Sequence, residues 1–349
     1  MLEYKIDALC FDDILLVPRR SSVPSRHSVN TEMCIGRGSR MIKLDFPIIA
    51  APMDTVCDTE MCIAMAKAGG MGILHRYMSY EDQLQKAKSL IDLGIIFGVA
   101  IASNNGFIRH AKDLVDAGVR LLLVDTANGH GSYAVDAVRE LRAKFPDVHI
   151  MAGNVATSDG FARLAAVGAD SVRVGIGGGS ACTTRLVSGH GIPTLASIMD
   201  CDNWKEKYAE HGIDECSIIA DGGIRNSGDA VKSFSAGADA VMVGSLLAGT
   251  DESPGNVYTD GNGNTVKSFR GMASAEAQKE SIGNVSVAEG VSTTVPYKGP
   301  VSHILDSIRG GIGSGCSYSG VHNLFELSSF ATYVKVSPSS LGESKPHAL

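Results

Sequence analysis

Ser217-Ile218-Ile219-Ala220-Asp221-Gly222-Gly223 is followed, after a polar turn, by Asp229 to Ala236 and then by Gly237-Ala238-Asp239-Ala240-Val241-Met242-Val243-Gly244-Ser245. Ser217 to Ala220 is a short apolar run that ends on an aspartate and two glycines. Asp229 to Ala236 has helical spacing, Ala236-Gly237 is a glycine helix stop, and Ala240 to Val243 is a second apolar run ending in Gly-Ser. This is one β-α-β unit. Continuous apolar strands of this kind are expected of a parallel sheet buried on both faces.

The same rhythm extends back through the chain. Apolar runs recur at Pro47 to Ala51, Met71 to Leu74, Ile95 to Ile101, Leu121 to Val124, Val148 to Ala152 and Ser171 to Val174. With the first two they make eight, the number a closed (β/α)8 TIM barrel requires. Helical spacing falls between them at Glu81 to Ile91, Ala111 to Ala117 and Tyr133 to Phe145, and Ala68-Gly69, Ala117-Gly118 and Val167-Gly168 repeat the glycine stop. The fold expected is α/β, one (β/α)8 barrel domain over residues 1–349 with long loops on its catalytic face. Two long interruptions follow the sixth and the eighth strands. The second, 251–299, is rich in Gly, Ser, Asn and Thr and reads as a mobile flap region. The segment Ala8 to Pro18 and the C-terminal tail are expected to cover the barrel.

The bulk properties narrow the function. The 349 residues carry a net charge of −7, which argues against a nucleic-acid role driven by overall charge. Eight cysteines (Cys10, Cys34, Cys57, Cys62, Cys182, Cys201, Cys216 and Cys316) are scattered, without Cys-x-x-Cys or zinc-type spacing. That fits reduced thiols in a cytoplasmic setting. Met1-Leu2-Glu3-Tyr4-Lys5 has no secretory apolar core, and no apolar run approaches the ~20 residues that span a bilayer, so no membrane partner is expected.

In a barrel, polar residues at the carboxyl ends of strands face the active site. Here they are Asp54, His75-Arg76, Ser103-Asn104, Asp125 with Asn128, Asn154, Asp221-Gly222-Gly223 and Gly244-Ser245. Gly222-Gly223 and Gly244-Ser245 follow strands seven and eight, the usual barrel phosphate site. Asp221 suits a ribose diol but equally a turn or helix cap, and Asp125 suits an amide, a ribose or a structural cap. His75 reads as a packed histidine, and Asp12-Asp13 as a capped turn rather than a metal pair. The sixth strand opens into Gly175-Ile176-Gly177-Gly178-Gly179-Ser180-Ala181-Cys182-Thr183-Thr184-Arg185. A thiol among backbone N–H groups and near Arg185 can become a nucleophile, although a lone cysteine is often just a small apolar side chain.

Taken together and in order, Ala50-Ala51-Pro52-Met53-Asp54, Ala152-Gly153-Asn154-Val155, Gly175 to Arg185, Ala220 to Arg225 and Arg270-Gly271-Met272 resemble the IMP dehydrogenase/GMP reductase family over nearly the whole chain. The resemblance implies a (β/α)8 barrel, usually a homotetramer, whose cysteine adds to C2 of a purine nucleotide while hydride moves between that carbon and a nicotinamide. It implies Cys182 as nucleophile, and Ser180, Asp221, Gly222, Gly223, Gly244, Ser245, Gly271 and Met272 as substrate contacts. It also implies Arg76, Asp125 and Asn128 on the nicotinamide side. The carbonyls of Gly177, Gly179 and Cys182 match a monovalent-cation site, commonly potassium. Gly178 stands where the family often has proline.

The family holds two activities. A dehydrogenase oxidises IMP with NAD and then needs a base for hydrolysis, an Arg-Tyr pair on a flap. A reductase deaminates GMP to IMP and ammonia with NADPH and needs an acid at the departing amine. Thr184 and Glu289 match the acid-relay positions. The flap from Ala273 to Ala288 contains neither arginine nor tyrosine, and no CBS-type regulatory insert interrupts Met78 to Ile95. Both features favour the reductase. Asp125 to His130, Ile224 to Asp229, Glu343 to His347, and Ser286 in place of the reductase arginine favour an IMP dehydrogenase lacking the regulatory domain. Other expectations open to test are an FMN-dependent barrel and a nucleotide-binding regulator without turnover. No Gly-x-Gly-x-x-Gly fingerprint is present to specify the dinucleotide.

Overall fold

A computed structural model describes residues 8–104, 106–207, 215–285 and 287–345. Eight parallel strands close into a barrel. In chain order they are β1 (Ile48–Ala50), β2 (Met71–Leu74), β3 (Phe97–Ile101), β4 (Leu121–Asp125), β5 (His149–Val155), β6 (Ser171–Val174), β7 (Ser217–Asp221) and β8 (Ala240–Val243). All eight apolar runs became strands. The differences lie at the ends, where β4, β5 and β7 run on into the polar residues Asp125, Asn154 and Asp221.

Helices cover the outside: α1 (Thr59–Lys67), α2 (Tyr80–Asp92), α3 (Phe107–Ala117), α4 (Ser132–Lys144), α5 (Ser158–Ala166), α6 (Thr194–Lys207), α7 (Ser227–Ser235) and α8 (Val301–Ser319). Their starts carry local signals. Asp58, Ser79, Thr157 and Asn226 each accept a backbone N–H at the head of α1, α2, α5 and α7. The expected glycine stops are real: Gly69, Gly118, Gly168 and Gly237 all have positive φ.

Strand alternation sorts the core into two layers. Ile49, Met71, Ile73, Leu121, Leu123, Met151, Ile219, Ala240 and Met242 pack inside the barrel. Ile48, Ala50, Leu122, Val124, Val172, Val174, Ile218, Ala220, Val241 and Val243 pack outward against the helices. The hairpin Met33–Ile35 with Ile42–Leu44 plugs the amino-terminal end of the barrel, adding Ile35 and Leu44 to the inner layer. Gly36 N–H donates to Ser217 Oγ at 2.9 Å, and His149 Nδ1 lies 2.9 Å from the Arg40 carbonyl.

The segment around Ala8 to Pro18 lies against the seventh β-α unit. Ile14–Leu16 pairs antiparallel with Tyr333–Lys335, and Lys232 Nζ donates to the Phe11 carbonyl at 2.7 Å. Asp12-Asp13 ends a short 3-10 turn, with Asp13 accepting Cys10 N–H at 2.8 Å and Asp12 bound to Arg225. Residues 251–299 hold secondary structure of their own: Tyr258–Thr259, Thr265–Arg270 and Ser292–Pro296 form an antiparallel sheet with the helix Ala275–Ile282. No described helix is long and apolar enough to cross a membrane.

Candidate active site

The alternation that fills the barrel with Leu121, Leu123 and Ile219 continues one step further at its carboxyl end. Asp125 has the inward parity of Leu121 and Leu123, Asp221 that of Ile219, and Arg173 that of Ser171, while Val172 and Val174 face the helices. Two carboxylates and a guanidinium therefore form the top layer of the barrel. Gly153, opposite Arg173 in the ladder, leaves room for it. A Cβ there would come within 2.6 Å of Arg173 Cβ.

Arg173 is buried and divides its donors between the two acids. Nη1 donates to Asp125 Oδ1 at 2.7 Å, and Nη2 and Nε donate to Asp221 Oδ2 at 2.8 and 3.1 Å. Arg76 Nε donates to Asp125 Oδ2 at 3.0 Å, and Asn154 Nδ2 donates to Asp221 Oδ2 at 2.8 Å. Burial alone would raise the Asp125 carboxyl, but the charges of Arg173 and Arg76 prevail and hold it below its ordinary value. The Tyr77 hydroxyl, buried and near Asp125, is pushed up to about 12.

Above this layer opens a cavity of about 530 Å³. Glycines bring the backbones around it together. Gly175 has φ +143°, and a Cβ on it would lie 1.9 Å from the Asp221 carbonyl oxygen, so no other residue fits between the ends of β6 and β7. Gly222 and Gly223 have φ of +91° and +77° and face Gly178 and Gly179. Lys298 Nζ donates to the carbonyls of Ser245 and Leu246 at 2.8 and 3.0 Å, fixing the turn after β8.

Cys182 Sγ lies 3.2 Å from Thr184 Oγ1. The long excursion after β8 returns to this loop by backbone pairing. Thr183 N–H donates to the Glu289 carbonyl, Val291 N–H to the Ala181 carbonyl, Glu289 N–H to the Ala273 carbonyl and Gly271 N–H to the Val291 carbonyl, each at 3.0 Å. Residues 289–291 are thus held between the cysteine loop and Gly271–Ser274, and Glu289 lines the same cavity as Cys182 and Thr184. Arg270 anchors the excursion to the loop after β1 through Asp54, and it also pairs with Glu280. Asp54 N–H meets Met272 Sδ at 3.4 Å.

The sequence candidates Arg76, Gly177, Gly179, Ser180, Cys182, Thr184, Asp125, Asp221, Gly222, Gly223, Gly244, Ser245, Gly271, Met272 and Glu289 all line this cavity. Asn128 does not. Its Oδ1 caps its own turn by accepting His130 N–H at 3.1 Å. Asp54, His75, Ser103 and Asn104 also stand outside the lining. His75 Nδ1 accepts Tyr77 N–H at 3.1 Å, in keeping with a packed histidine. The Arg185 stem packs against Gly177 and Gly191, and Nη2 donates to the Ile192 carbonyl at 3.0 Å. Ser286, Pro346 and His347 lie outside the described residues.

The residues proposed for a cation offer neutral carbonyl oxygens, the right chemistry for a hard monovalent ion. The Gly179 carbonyl already accepts Cys182 N–H at 3.0 Å and keeps a second lone pair. Among the described residues, no cluster of three His, Cys, Asp or Glu side chains could hold a metal ion. Arg173, Tyr77, Gln278 and Phe269 line the cavity without having been picked out as candidates. For Arg173 the signal was present: Ser171-Val172-Arg173-Val174 puts valine at one parity and polar residues at the other, although the run reads as apolar overall.

The domain family described as IMP dehydrogenase / GMP reductase domain matches residues 8–347. The chain belongs to the IMP dehydrogenase/GMP reductase family. A GMP reductase of Phytophthora infestans is 38% identical across 94% of this chain and 91% of its own length. An inosine-5'-monophosphate dehydrogenase of Nitrosopumilus maritimus is 32% identical across 99% of both. Among solved structures, GMP reductase from Trypanosoma brucei in complex with guanosine 5'-monophosphate superposes with a TM-score of 0.89 at 28% identity, covering 99% of this chain and 98% of that one. Membership makes this chain one of an oxidoreductase family that uses NAD(P) nucleotides. Relatives carrying both activity names lie at similar distances.

Proposed function

We infer that this chain is a GMP reductase, converting GMP to IMP and ammonia with NADPH. The observation that carries the reading is the meeting of Glu289, Thr184 and Cys182 in one cavity, with an acid-bearing segment zipped to the thiol loop. The flap supports it from the other side. Residues 273–288 contain no arginine or tyrosine to activate water. The nearest such side chains along the chain are engaged elsewhere, Arg270 with Asp54 and Glu280, and Tyr297 with Asp251 at 2.6 Å.

In this reading the GMP phosphate sits on Ser180, Gly222–Gly223 and Gly244–Ser245, where backbone N–H groups and the ends of β7 and β8 suit an anion. Asp221 holds the ribose, and Gly271 and Met272 border the purine. The Cys182 thiolate attacks C2, and Glu289 delivers a proton through Thr184 to the exocyclic amine, which departs as ammonia and leaves C2 bonded to sulfur. Arg76 and Asp125 would hold the reduced nicotinamide, which when bound would supply hydride to that carbon, after which the C–S bond breaks to release IMP and the thiolate. The carbonyls of Gly177, Gly179 and Cys182 would hold a potassium ion that stiffens the loop. The homotetramer and the cytoplasmic setting follow the family pattern.

A second reading, IMP dehydrogenase acting with NAD, is favoured by the run Asp125-Thr126-Ala127-Asn128-Gly129-His130 and by the dehydrogenase relatives. Absorbance at the reduced-nicotinamide band separates the two. GMP with NADPH should lose absorbance and release one ammonium per turnover. Appearance of NADH from IMP and NAD, with no consumption of NADPH by GMP, would refute the reductase assignment.

A further inference from the structure

Arg173 is a buried guanidinium at the centre of the top barrel layer, and its side-chain hydrogen bonds go to two carboxylates that line the cavity. Its planar fork spans two acids from strands that are not neighbours, β4 and β7. Beyond them the chain of contacts continues outward, to Arg76 from Asp125 and to Asn154 from Asp221. The five groups form one connected row in which Arg76, Asp125, Arg173 and Asp221 alternate in charge and the neutral Asn154 amide closes the end beside Asp221.

Such a row is rigid for physical reasons. Arg173 sits on a strand whose ladder partner is Gly153, where no side chain could stand beside its Cβ. A guanidinium makes bidentate, directional bonds that an ammonium cannot reproduce. A displacement of Asp221 by a bound ribose is therefore passed to Asp125 through a single planar group. A displacement of Asp125 by a dinucleotide is passed back the same way.

We propose that Arg173 is the positioning residue that locks Asp221 and Asp125 into one frame, so that the nucleotide and the nicotinamide dinucleotide bind with mutual reinforcement. This rests on the reading above, which puts the ribose on Asp221 and the nicotinamide on the Asp125 side. Arg173 takes no part in bond making. It fixes the distance between the two binding acids. Coupling between two such sites is typically 5–150-fold in affinity and is equal in both directions.

The test measures binding as well as turnover. Position-173 wild type, Arg173→Lys and Arg173→Gln, each in a Cys182→Ala background that stops turnover, are titrated with GMP and with IMP, each with and without NADPH or NAD, by calorimetry, and KM and kcat are read on the same three forms with Cys182 intact. In the wild type, the dinucleotide should tighten nucleotide binding at least fivefold. Arg173→Lys keeps a charge but lacks the fork. It should melt within a few degrees of wild type, lose most of the coupling, and raise KM for both substrates about tenfold, with a smaller change in kcat. Arg173→Gln should do the same and also move the acid limb of the kcat/KM profile upward. The titratable groups around the guanidinium are Asp125, Asp221, Arg76 and Tyr77, with Cys182 and Glu289 across the cavity. Asp125, held below its ordinary value by Arg173 and Arg76, would lose one of its two counter-charges, and the acid limb would follow it.

If Arg173→Gln does not fold, the lysine variant decides. A folded lysine variant with wild-type coupling and both KM values unchanged overturns the proposal, and so does a wild type in which neither ligand affects the other. Coupling seen with IMP and NAD but not with GMP and NADPH would instead overturn the reductase assignment while leaving the role of Arg173 standing.

Discussion

Replacing Glu289 by glutamine isolates the proton that the proposed reaction needs. The segment carrying Glu289 is held by main-chain bonds, Thr183 N–H to its carbonyl and its own N–H to the Ala273 carbonyl, both at 3.0 Å. The side chain contributes to neither, and glutamine has nearly the same shape. The cavity, the Cys182–Thr184 contact and nucleotide binding should therefore survive. What disappears is an ionisable acid at the departing amine. Positioned proton transfer is worth about 10²–10⁴ in rate, or about 3–5 kcal/mol at 1.36 kcal/mol per tenfold. Stopped-flow and steady-state assays of GMP-dependent NADPH oxidation should show kcat down by that factor, with KM for GMP changed less than threefold. Thr184→Ala should fall in the same range. If the two residues act in sequence, the double variant should lose little more than the worse single one, because members of one relay are strongly non-additive. A Glu289→Gln enzyme retaining a third or more of wild-type kcat would refute the relay. A large rise in KM without loss of kcat would show that Glu289 binds substrate rather than passing a proton.

Three further outcomes follow from particular contacts. Cys182→Ala should abolish turnover while leaving GMP affinity, read by calorimetry, within a few-fold of wild type; full turnover would exclude a covalent adduct. Gly153→Ala drives a methyl group to 2.6 Å from Arg173 Cβ and 2.9 Å from its carbonyl oxygen, an overpacking cost of about 1–3 kcal/mol. Its melting temperature should fall by several degrees, and an unchanged melt would mean that β5 and β6 part easily. Asp202 is raised to about 6, first by burial and then by Glu206 and Asp239 against the opposing charge of Lys205. Because the folded value is raised, the protonated acid adds stability that is lost as pH climbs through about 6. Asp202→Asn should therefore melt higher than wild type at pH 7.5 and match it near pH 4.5, and identical melting curves across that range would contradict the shift.

The barrel was legible because its signal is repeated and local. Each apolar run is four to seven residues long and buried on both faces, and four of them are preceded by a glycine stop that has positive φ in the structure. The strand ends were harder to place, since Asp125 and Asp221 are polar residues continuing a hydrogen-bond ladder that hydrophobicity cannot see, and Asn154 sits at an irregularity in the β5–β6 register. Arg185 and Asn128 show the limit on the other side. The sequence puts both near the functional loops, but side-chain direction is set by tertiary contacts, Arg185 toward the Ile192 carbonyl and Asn128 back onto His130 N–H.

Arg173 carries the more general point. Hydrophobicity averages over a strand, and one charge among valines leaves the average apolar; alternation asks instead which side of the sheet each residue faces. Val172 and Val174 face the helices, so a charged residue between them must face the barrel axis, where the dielectric is low and an unpaired charge is costly. Such a residue requires a counter-charge on the same inward parity of other strands. Among the strand-end residues, Asp125 and Asp221 are the acids that satisfy it. The same rule explains why the glycine stands at 153: the guanidinium stem fills the inward position that β5 would otherwise occupy. Reading parity strand by strand, before any contact is known, would have paired these two acids through one arginine and placed them in a single layer at the carboxyl end of the barrel.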